Sequence, residues 1–412
     1  MADIKPFRAY RPKKGMESKI AALPYDVYSR EEAARFVRGN PDSFLAIDRA
    51  ETQFEPEADM YAPEVYAKAS GLLWTAIGNG TFVQDEEPCY YLYRQIMEGR
   101  SQTGIVACAS IKDYQDNIIK KHENTRADKE EDRIRHVDAC DAQTGPIFLV
   151  YESCQRLNDI INSYVKKDPI YNFVSEDGII HQVWQIREPA VVREIRDTFS
   201  KLPSVYIADG HHRCASAVKV GMKRRSENPN PGKNMEYDYF LSVLFPEEEL
   251  RIMDYNRVVR DLNGYTKVEF LKCLEEHFIW KIWGEDSYQP TAKGCFGMYL
   301  DHEWYELKAK DNTYSEDVVK ALDVSILQDF LLEPVLGIAD PKTDKRIDFV
   351  GGVRGLGELE MRVHTDMKVA FSLYPTSIRE LFAVADAGML MPPKSTWFEP
   401  KLRSGLFIHS LR

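Results

Sequence analysis

The sequence predicts a mixed α/β protein of the α+β class. Three observations carry that reading. Runs rich in β-branched and aromatic residues intermingle with helical runs, without the strict strand–helix alternation of a doubly wound sheet. The length of 412 residues suits two or three domains at about 150 residues each. Hydrophobic residues make up 44% and charged residues 29%, so a large core can form without disulfide or metal staples. The strongest cluster of helix and strand breakers, Ser226-Glu227-Asn228-Pro229-Asn230-Pro231-Gly232-Lys233-Asn234, reads as an exposed loop. It divides an N-terminal region, 1–225, from a C-terminal region, 235–412.

In chain order, helical spacing predicts helices over 30–38 and 62–77. Strands follow at 90–96, 104–111 and 147–151, where Tyr, Ile, Val and Phe cluster. A helix at 155–165, a strand at 179–186 and a helix at 188–199 lead to a strand at 205–208 and a helix at 211–224. The C-terminal region opens with a strand at 239–245 and a helix at 267–277, then strands at 295–300 and 304–308. A helix is expected over 315–332, where Val318, Val319, Leu322, Ile326, Leu327, Phe330 and Leu331 keep helical spacing. That apolar face suits a core or, alternatively, the interface of a homodimer. Strands at 347–350 and 369–374 and a helix at 377–387 complete the pattern.

Several function classes fall away. The stretch Met1-Ala2-Asp3-Ile4-Lys5-Pro6 has no apolar signal region, and no run approaches the ~18 apolar residues of a membrane helix. The seven cysteines are odd in number and form no C-x-x-C pair, which points to reduced thiols and a cytoplasmic location. The histidines lack the spacing of a structural zinc site. Lys plus Arg is 54 and Asp plus Glu is 65, a net charge of −11 that opposes general nucleic-acid binding. A local basic pocket for a small anion remains compatible with that balance.

The most informative segment runs from Ser204 to Ala217. An apolar strand ends in Asp209-Gly210, followed by His211-His212-Arg213 and a helix of small residues. Gly210 permits a backbone conformation that other residues resist. The free N–H groups and positive dipole of the helix's first turn favour an anion. Arg213 can grip a phosphate bidentately, and His211 and His212 can donate to phosphate oxygens or carry a proton. Asp209 could hold Mg²⁺ or accept a proton. The bland alternative is a strand–turn–helix with Asp209 as the helix cap.

A second polar block, 120–126, holds Lys121, His122, Glu123, Thr125 and Arg126. Acid, base, amide and hydroxyl within seven residues suit general acid–base work and phosphate binding, against the alternative of a solvated helical face. Near the C-terminus, Lys394, Ser395 and Thr396 could line an anion pocket with Lys401 and Arg403 beside it. Gly351-Gly352-Val353-Arg354-Gly355 reads as a glycine turn, not a P-loop. Leu23-Pro24-Tyr25-Asp26 reads as a turn whose aspartate either reaches the site or closes an Asx-turn.

Asp209-Gly210-His211-His212-Arg213 resembles the D-G-H-H-R signature of ParB/sulfiredoxin-superfamily nucleotide sites, especially that of the free L-serine kinases. The whole chain also resembles a widespread bacterial family known as domain of unknown function 1015. The stretches that carry this second likeness include Ala22-Leu23-Pro24-Tyr25-Asp26-Val27, Lys121-His122-Glu123-Asn124-Thr125, Gln143-Thr144-Gly145-Pro146-Ile147-Phe148 and Met391-Pro392-Pro393-Lys394-Ser395-Thr396. The resemblance implies a ParB/sulfiredoxin-like nucleotide-binding core with added α/β elaboration, ATP or ADP with Mg²⁺ as cofactors, and phosphate contacts from Gly210, His211, His212 and Arg213. It implies a kinase for a small hydroxyl substrate, with free L-serine giving O-phospho-L-serine as the specific expectation and Asp209 or Glu123 as the base. A non-catalytic ParB-like nucleotide switch is the alternative. Glu123-Asn124-Thr125-Arg126 also resembles the E-N-x-x-R box of ParB proteins, although that box follows the phosphate turn there and precedes it here. Sulfiredoxin carries a cysteine before its His-Arg pair; here His211 holds that place.

Overall fold

The structure is a computed structural model that describes residues 1–230, 232 and 234–412. Two compact units emerge, one of Met1–Leu250 with Pro400–Arg412 and one of Arg251–Glu399. The expected division at 225 and 235 therefore moves. The 226–234 loop lies inside the first unit, its Pro231 and Lys233 fall outside the described residues, and the last thirteen residues return to that unit. The return has a local cause: Ser404 N–H donates to Ala22 O at 2.9 Å, and Ile408 N–H donates to Tyr10 O at 2.9 Å.

The first unit is built on a mixed nine-stranded sheet. Its strands are β1 (Ile4–Lys5), β2 (Tyr90–Met97), β3 (Arg100–Ser110), β4 (Ile119–Lys120), β5 (Ile147–Tyr151), β6 (Tyr171–Val174), β7 (Ile180–Ile186), β8 (Val205–Asp209) and β9 (Tyr239–Pro246). They lie in the order β4-β8-β5-β9-β3-β2-β7-β6, with β1 alongside β3. Glu98 and Gly99, both at positive φ, form the two-residue turn that joins β2 to β3, a geometry matched to the twist of a hairpin. β8 runs parallel to β4 and antiparallel to β5. That arrangement places the C-terminal ends of β4 and β8 and the N-terminal end of β5 at one edge of the sheet.

Helices α1 (Arg30–Gly39), α2 (Pro63–Gly78), α3 (Ala127–Cys140), α4 (Gln155–Tyr164), α5 (Pro189–Phe199) and α6 (His211–Glu227) are the longer helices of the unit. Ser29 caps α1 through a reciprocal box with Glu32. One core cluster joins Leu149, Ile207 and Leu244 of the sheet to Leu157 of α4, Phe199 of α5 and Cys214, Ala217 and Val218 of α6. A second cluster joins Val37 of α1, Leu73 of α2, Cys140 of α3 and Ile408 of the returning tail. All seven cysteines are free thiols.

The second unit carries an antiparallel six-stranded sheet of β10 (Tyr255–Val259), β11 (Phe278–Gly284), β12 (Cys295–Leu300), β13 (Glu303–Ala309), β14 (Ile347–Gly351) and β15 (Val369–Leu373). Its order is β11-β13-β12-β15-β10-β14. Helices α7 (Lys267–Leu274), α8 (Leu356–Thr365) and α9 (Ile378–Asp386) accompany it. The expected helix over 315–332 is mostly absent. Asp317 Oδ1 accepts from the N–H groups of Val319 and Lys320, a local pairing that competes with helix propagation. Leu322 is extended, and helix begins only at Asp323–Leu327 before widening into a π turn over Gln328–Leu332. Leu322, Ile326, Leu327 and Leu331 are nonetheless buried, as core residues of this unit. No helix among the described residues is long and apolar enough to cross a membrane.

Candidate functional site

Sheet topology assembles the cluster. β8 delivers Asp209 at its end, where the pairing with β5 shifts register between Ile207 and Asp209. Gly210 follows with φ +92°, in the left-handed region that favours glycine. A Cβ there would also meet the Arg213 guanidinium at 3.1–3.2 Å. Helix α6 then starts at His211 with no side-chain cap, so Asp209 is not the helix cap. Its carboxylate instead accepts from the Gly210 N–H at 2.9 Å. The first intrahelical bond runs from Cys214 N–H to Gly210 O, which leaves the N–H groups of His211, His212 and Arg213 as first-turn donors at the positive end of a seventeen-residue helix.

β4, parallel to β8, delivers the second polar block to the same edge. The His122 ring meets the His211 ring edge-to-face, with centroids 4.5 Å apart, and His122 donates to the Ile207 carbonyl. Glu123 places Oε2 3.8 Å from His211 Nδ1. Lys121 is exposed at this edge and acts electrostatically on His211. Thr125 donates to Glu130 at 2.6 Å, and Arg126 pairs with Asp128 at 2.9 Å on the exposed first turn of α3. His122, Glu123 and the 209–213 turn are thus brought together, while Arg126 is turned toward α3.

Burial sets the histidines' protonation. It pushes His122 down to about 4 and His211 well below the usual imidazole range, where the neighbouring His122 adds to the effect. His212 also falls through burial, against the opposing pull of Asp26 and Glu130. All three imidazoles are therefore neutral at pH 7, when a ring has one donor nitrogen and one acceptor nitrogen. His211 Nε2 and His212 Nδ1 are buried without a hydrogen-bond partner among the described residues. Such atoms are costly unless a ligand meets them.

A cation not assigned to this turn by the sequence joins it. Lys401 Nζ stands 3.4 Å from Asp209 Oδ2. Gln95 positions it by donating to the Lys401 carbonyl at 2.8 Å. Arg213 approaches the same carboxylate at 3.9 Å and donates to the Pro146 carbonyl at 2.5 Å. Burial opposes the charge of Asp209, but Lys401 and Arg213 more than offset it and hold the carboxyl well below its ordinary range. The Arg213 guanidinium thus lies folded between the Gly145–Pro146 turn and Gly210, held by its bond to the Pro146 carbonyl.

Lys394, Ser395 and Thr396 belong to the second unit. Ser395 donates to Pro392 O at 2.7 Å, Lys394 has φ +59°, and its carbonyl accepts from Arg257 at 3.0 Å. Gly352–Arg354 forms a short turn leading into α8, in keeping with the glycine-turn reading.

The charge run after Thr125 is helix α3, and its buried side holds Glu130, Asp132, Arg133 and His136. Arg133 pairs with Asp132 at 2.8 Å and lies 4.0 Å over the Tyr25 ring. Asp48 accepts from Thr144 at 2.8 Å. A small cavity lined by Tyr25, Asp48, Arg133, Thr144 and Arg213 connects this network to the turn. The sequence alone does not reveal it because charged residues inside a helix ordinarily mean solvent; the i, i+4 spacing of Asp132 and His136, with Arg133 three before His136, was the available signal.

Among the described residues no cluster of three or more His, Cys, Asp or Glu side chains could hold a metal ion. Asp209 alone, with its charge already matched by two cations, does not make a dedicated cage. It fits a Mg²⁺ ion held mainly by nucleotide phosphates, the usual mode for that metal.

Fold and site together define a mixed α/β protein with an anion-receptive strand–turn–helix at the edge of its main sheet. The chain belongs to the family described as protein of unknown function (DUF1015), whose model matches residues 4–325. No curated protein matches it. Among solved structures it is similar to SbnI with C-terminal truncation from Staphylococcus aureus, at 13% identity and a TM-score of 0.38, covering 71% of this chain and 82% of that one. It is also similar to a free serine kinase in complex with AMP, at 13% identity and a TM-score of 0.34, covering 72% and 86%. A conserved hypothetical protein from Pyrococcus furiosus matches at 13% identity and a TM-score of 0.33, covering 75% and 95%.

Proposed function

We propose that this protein is a nucleotide-dependent kinase of a small hydroxyl compound, with free L-serine as the specific substrate and O-phospho-L-serine as the product. One observation carries the reading: an uncapped helix N-terminus presents two buried imidazole nitrogens without partners among the described residues, and its first residue, His211, has Nδ1 3.8 Å from the half-exposed carboxylate of Glu123. The first is built to receive phosphate oxygens and the second to receive a proton.

In this reading the N–H groups of His211, His212 and Arg213 hold the phosphates of ATP or ADP. The neutral imidazoles donate to phosphate oxygens from their free nitrogens. Lys121 and Lys401 add positive charge at the same edge. Glu123 takes the proton of the substrate hydroxyl; the hydroxyl oxygen bonds to the terminal phosphorus; the bond from that phosphorus to the bridging oxygen breaks, and its electron pair leaves with the shortened nucleotide. Mg²⁺, when bound, would be held by Asp209 and the phosphates and would supply charge neutralisation. Positioning and charge stabilisation supply most of the catalysis in phosphoryl transfer, and rigid sheet-edge residues suit that task. Arg213 acts as a positioning residue, bracing Asp209 and the turn.

Calorimetry with ATP and ADP on the wild type and Gly210→Val tests the reading. Nucleotide binding that is lost in the variant supports it. Binding of neither nucleotide by a folded wild-type protein contradicts it. Nucleotide bound without transfer to any hydroxyl compound favours the switch instead.

A further inference from the structure

A second cavity of about 310 Å³ opens beside this turn, between residues 25–30, helix α2 and helix α3. Its size lies at the lower end for a small-molecule site. The floor is charged yet internally satisfied. Arg49 pairs with Glu51 at 2.5 Å and donates to the carbonyls of Tyr25 and Tyr28 at 2.8 and 2.9 Å. Asp132 holds Arg133 and accepts from Tyr66 at 3.0 Å. Such a network fixes the walls before any ligand arrives.

The rim differs. Asp26 is exposed, and among the described residues neither a hydrogen bond nor an ion pair engages its carboxylate or the ammonium of Lys129. Among the described residues Arg30 makes one bond, to Ala58 O at 2.7 Å, and keeps its other donors for a ligand. The rim therefore offers one carboxylate and two cationic groups over a floor with one carboxylate in excess, Asp48, so the lining as a whole is charge-balanced. A net anion would meet Asp26 unfavourably, and a net cation would meet Arg30 and Lys129. A molecule carrying both charges satisfies all three, with its carboxylate on the Arg30 fork and its ammonium on Asp26.

Position supplies the rest. Tyr25, Asp48, Arg133 and His136 line both this cavity and the smaller one that ends at Arg213. Asp26 also acts electrostatically on His212, in the first turn of α6. We propose that the cavity is the acceptor subsite and takes a small zwitterion with one carboxylate, one ammonium and a hydroxyl. Its role as acceptor rests on the kinase reading; its binding does not require turnover.

Calorimetry on the full chain separates the two. The probes are L-serine, L-homoserine, L-alanine, ethanolamine and 3-hydroxypropionate, with ADP titrated in parallel. The three amino acids should bind at least tenfold more tightly than ethanolamine, which lacks the carboxylate, or 3-hydroxypropionate, which lacks the ammonium. Asp26→Asn and Arg30→Gln alter exposed or half-exposed side chains and should each weaken the amino acids at least tenfold while changing ADP affinity less than threefold. Amino acids that do not bind at millimolar concentration, or that bind both variants as they bind the wild type, overturn the subsite. Amino acids that bind as expected while ADP does not would leave the subsite standing and remove the kinase.

Discussion

The ammonium of Lys401 stands 3.4 Å from the carboxylate of Asp209, a residue 192 positions earlier in the chain. The last thirteen residues thus complete the turn built by β8 and α6. The pair matters because Arg213, the other cation near Asp209, is held by the Pro146 carbonyl and cannot swing freely.

Lys401→Met should destabilise the protein by about 1–2 kcal/mol, between the worth of an exposed ion pair and the cost of breaking a buried one. It should also weaken nucleotide binding several-fold. Combining it with Asp209→Asn should cost less than the two single changes together, because they share one interaction. Urea unfolding of the four proteins in the cycle checks this.

Glu123→Gln preserves shape and removes the base. Turnover should fall by about 10²–10⁴-fold, the usual range for a lost general base, with nucleotide affinity within about threefold of wild type. Equal losses in both would make Glu123 a binding residue.

Gly210→Ala forces an L side chain to φ +92° and places its Cβ 3.1 Å from the Arg213 guanidinium. The conformation alone costs about 1–2 kcal/mol. Nucleotide affinity should fall further than global stability, since the change rotates the first-turn N–H groups. Parallel calorimetry and thermal unfolding resolve the two effects.

His122 has a pH signature. Burial lowers its folded value to about 4, while the unfolded chain protonates near 6.5. Above pH 6.5 both states are neutral, and the group contributes nothing to pH dependence. As pH falls from 6.5 toward 4 the unfolded state binds the proton first, so stability drops, by about 3 kcal/mol in all. His122→Gln should lessen the protein's fall across that window by about 3 kcal/mol, leaving the share that the lowered His211 and His212 contribute. An unchanged slope would mean that other groups carry it.

Much of the architecture was legible because it follows from local patterns. The strand at β8, the turn at Gly210 and the start of α6 are set by an apolar run, a glycine and a helix of small residues. The same patterns gave β5, α4 and α5 nearly residue for residue. The helix expected over 315–332 failed because hydrophobic spacing ignores the Asp317 side chain, which binds the backbone locally. Helix α8 was missed because the glycines before it read as a turn and hid the start. The meeting of His122 and Glu123 with His211 depends on β4 lying parallel beside β8, a long-range pairing with no signal in either segment. The approach of Lys401 to Asp209 was hidden for the same reason. The reading of Lys394, Ser395 and Thr396 as anion ligands rests on the sequence pattern alone.

The most direct test is phosphorus NMR of the purified protein with Mg²⁺, ATP or ADP, and L-serine. The account predicts a new phosphoserine resonance that grows with time, at the expense of the nucleotide's terminal phosphate, and is absent with Glu123→Gln. A nucleotide that binds yet yields no phosphomonoester, from serine or from a pool of other hydroxyl metabolites, would contradict the kinase and leave a nucleotide-binding switch.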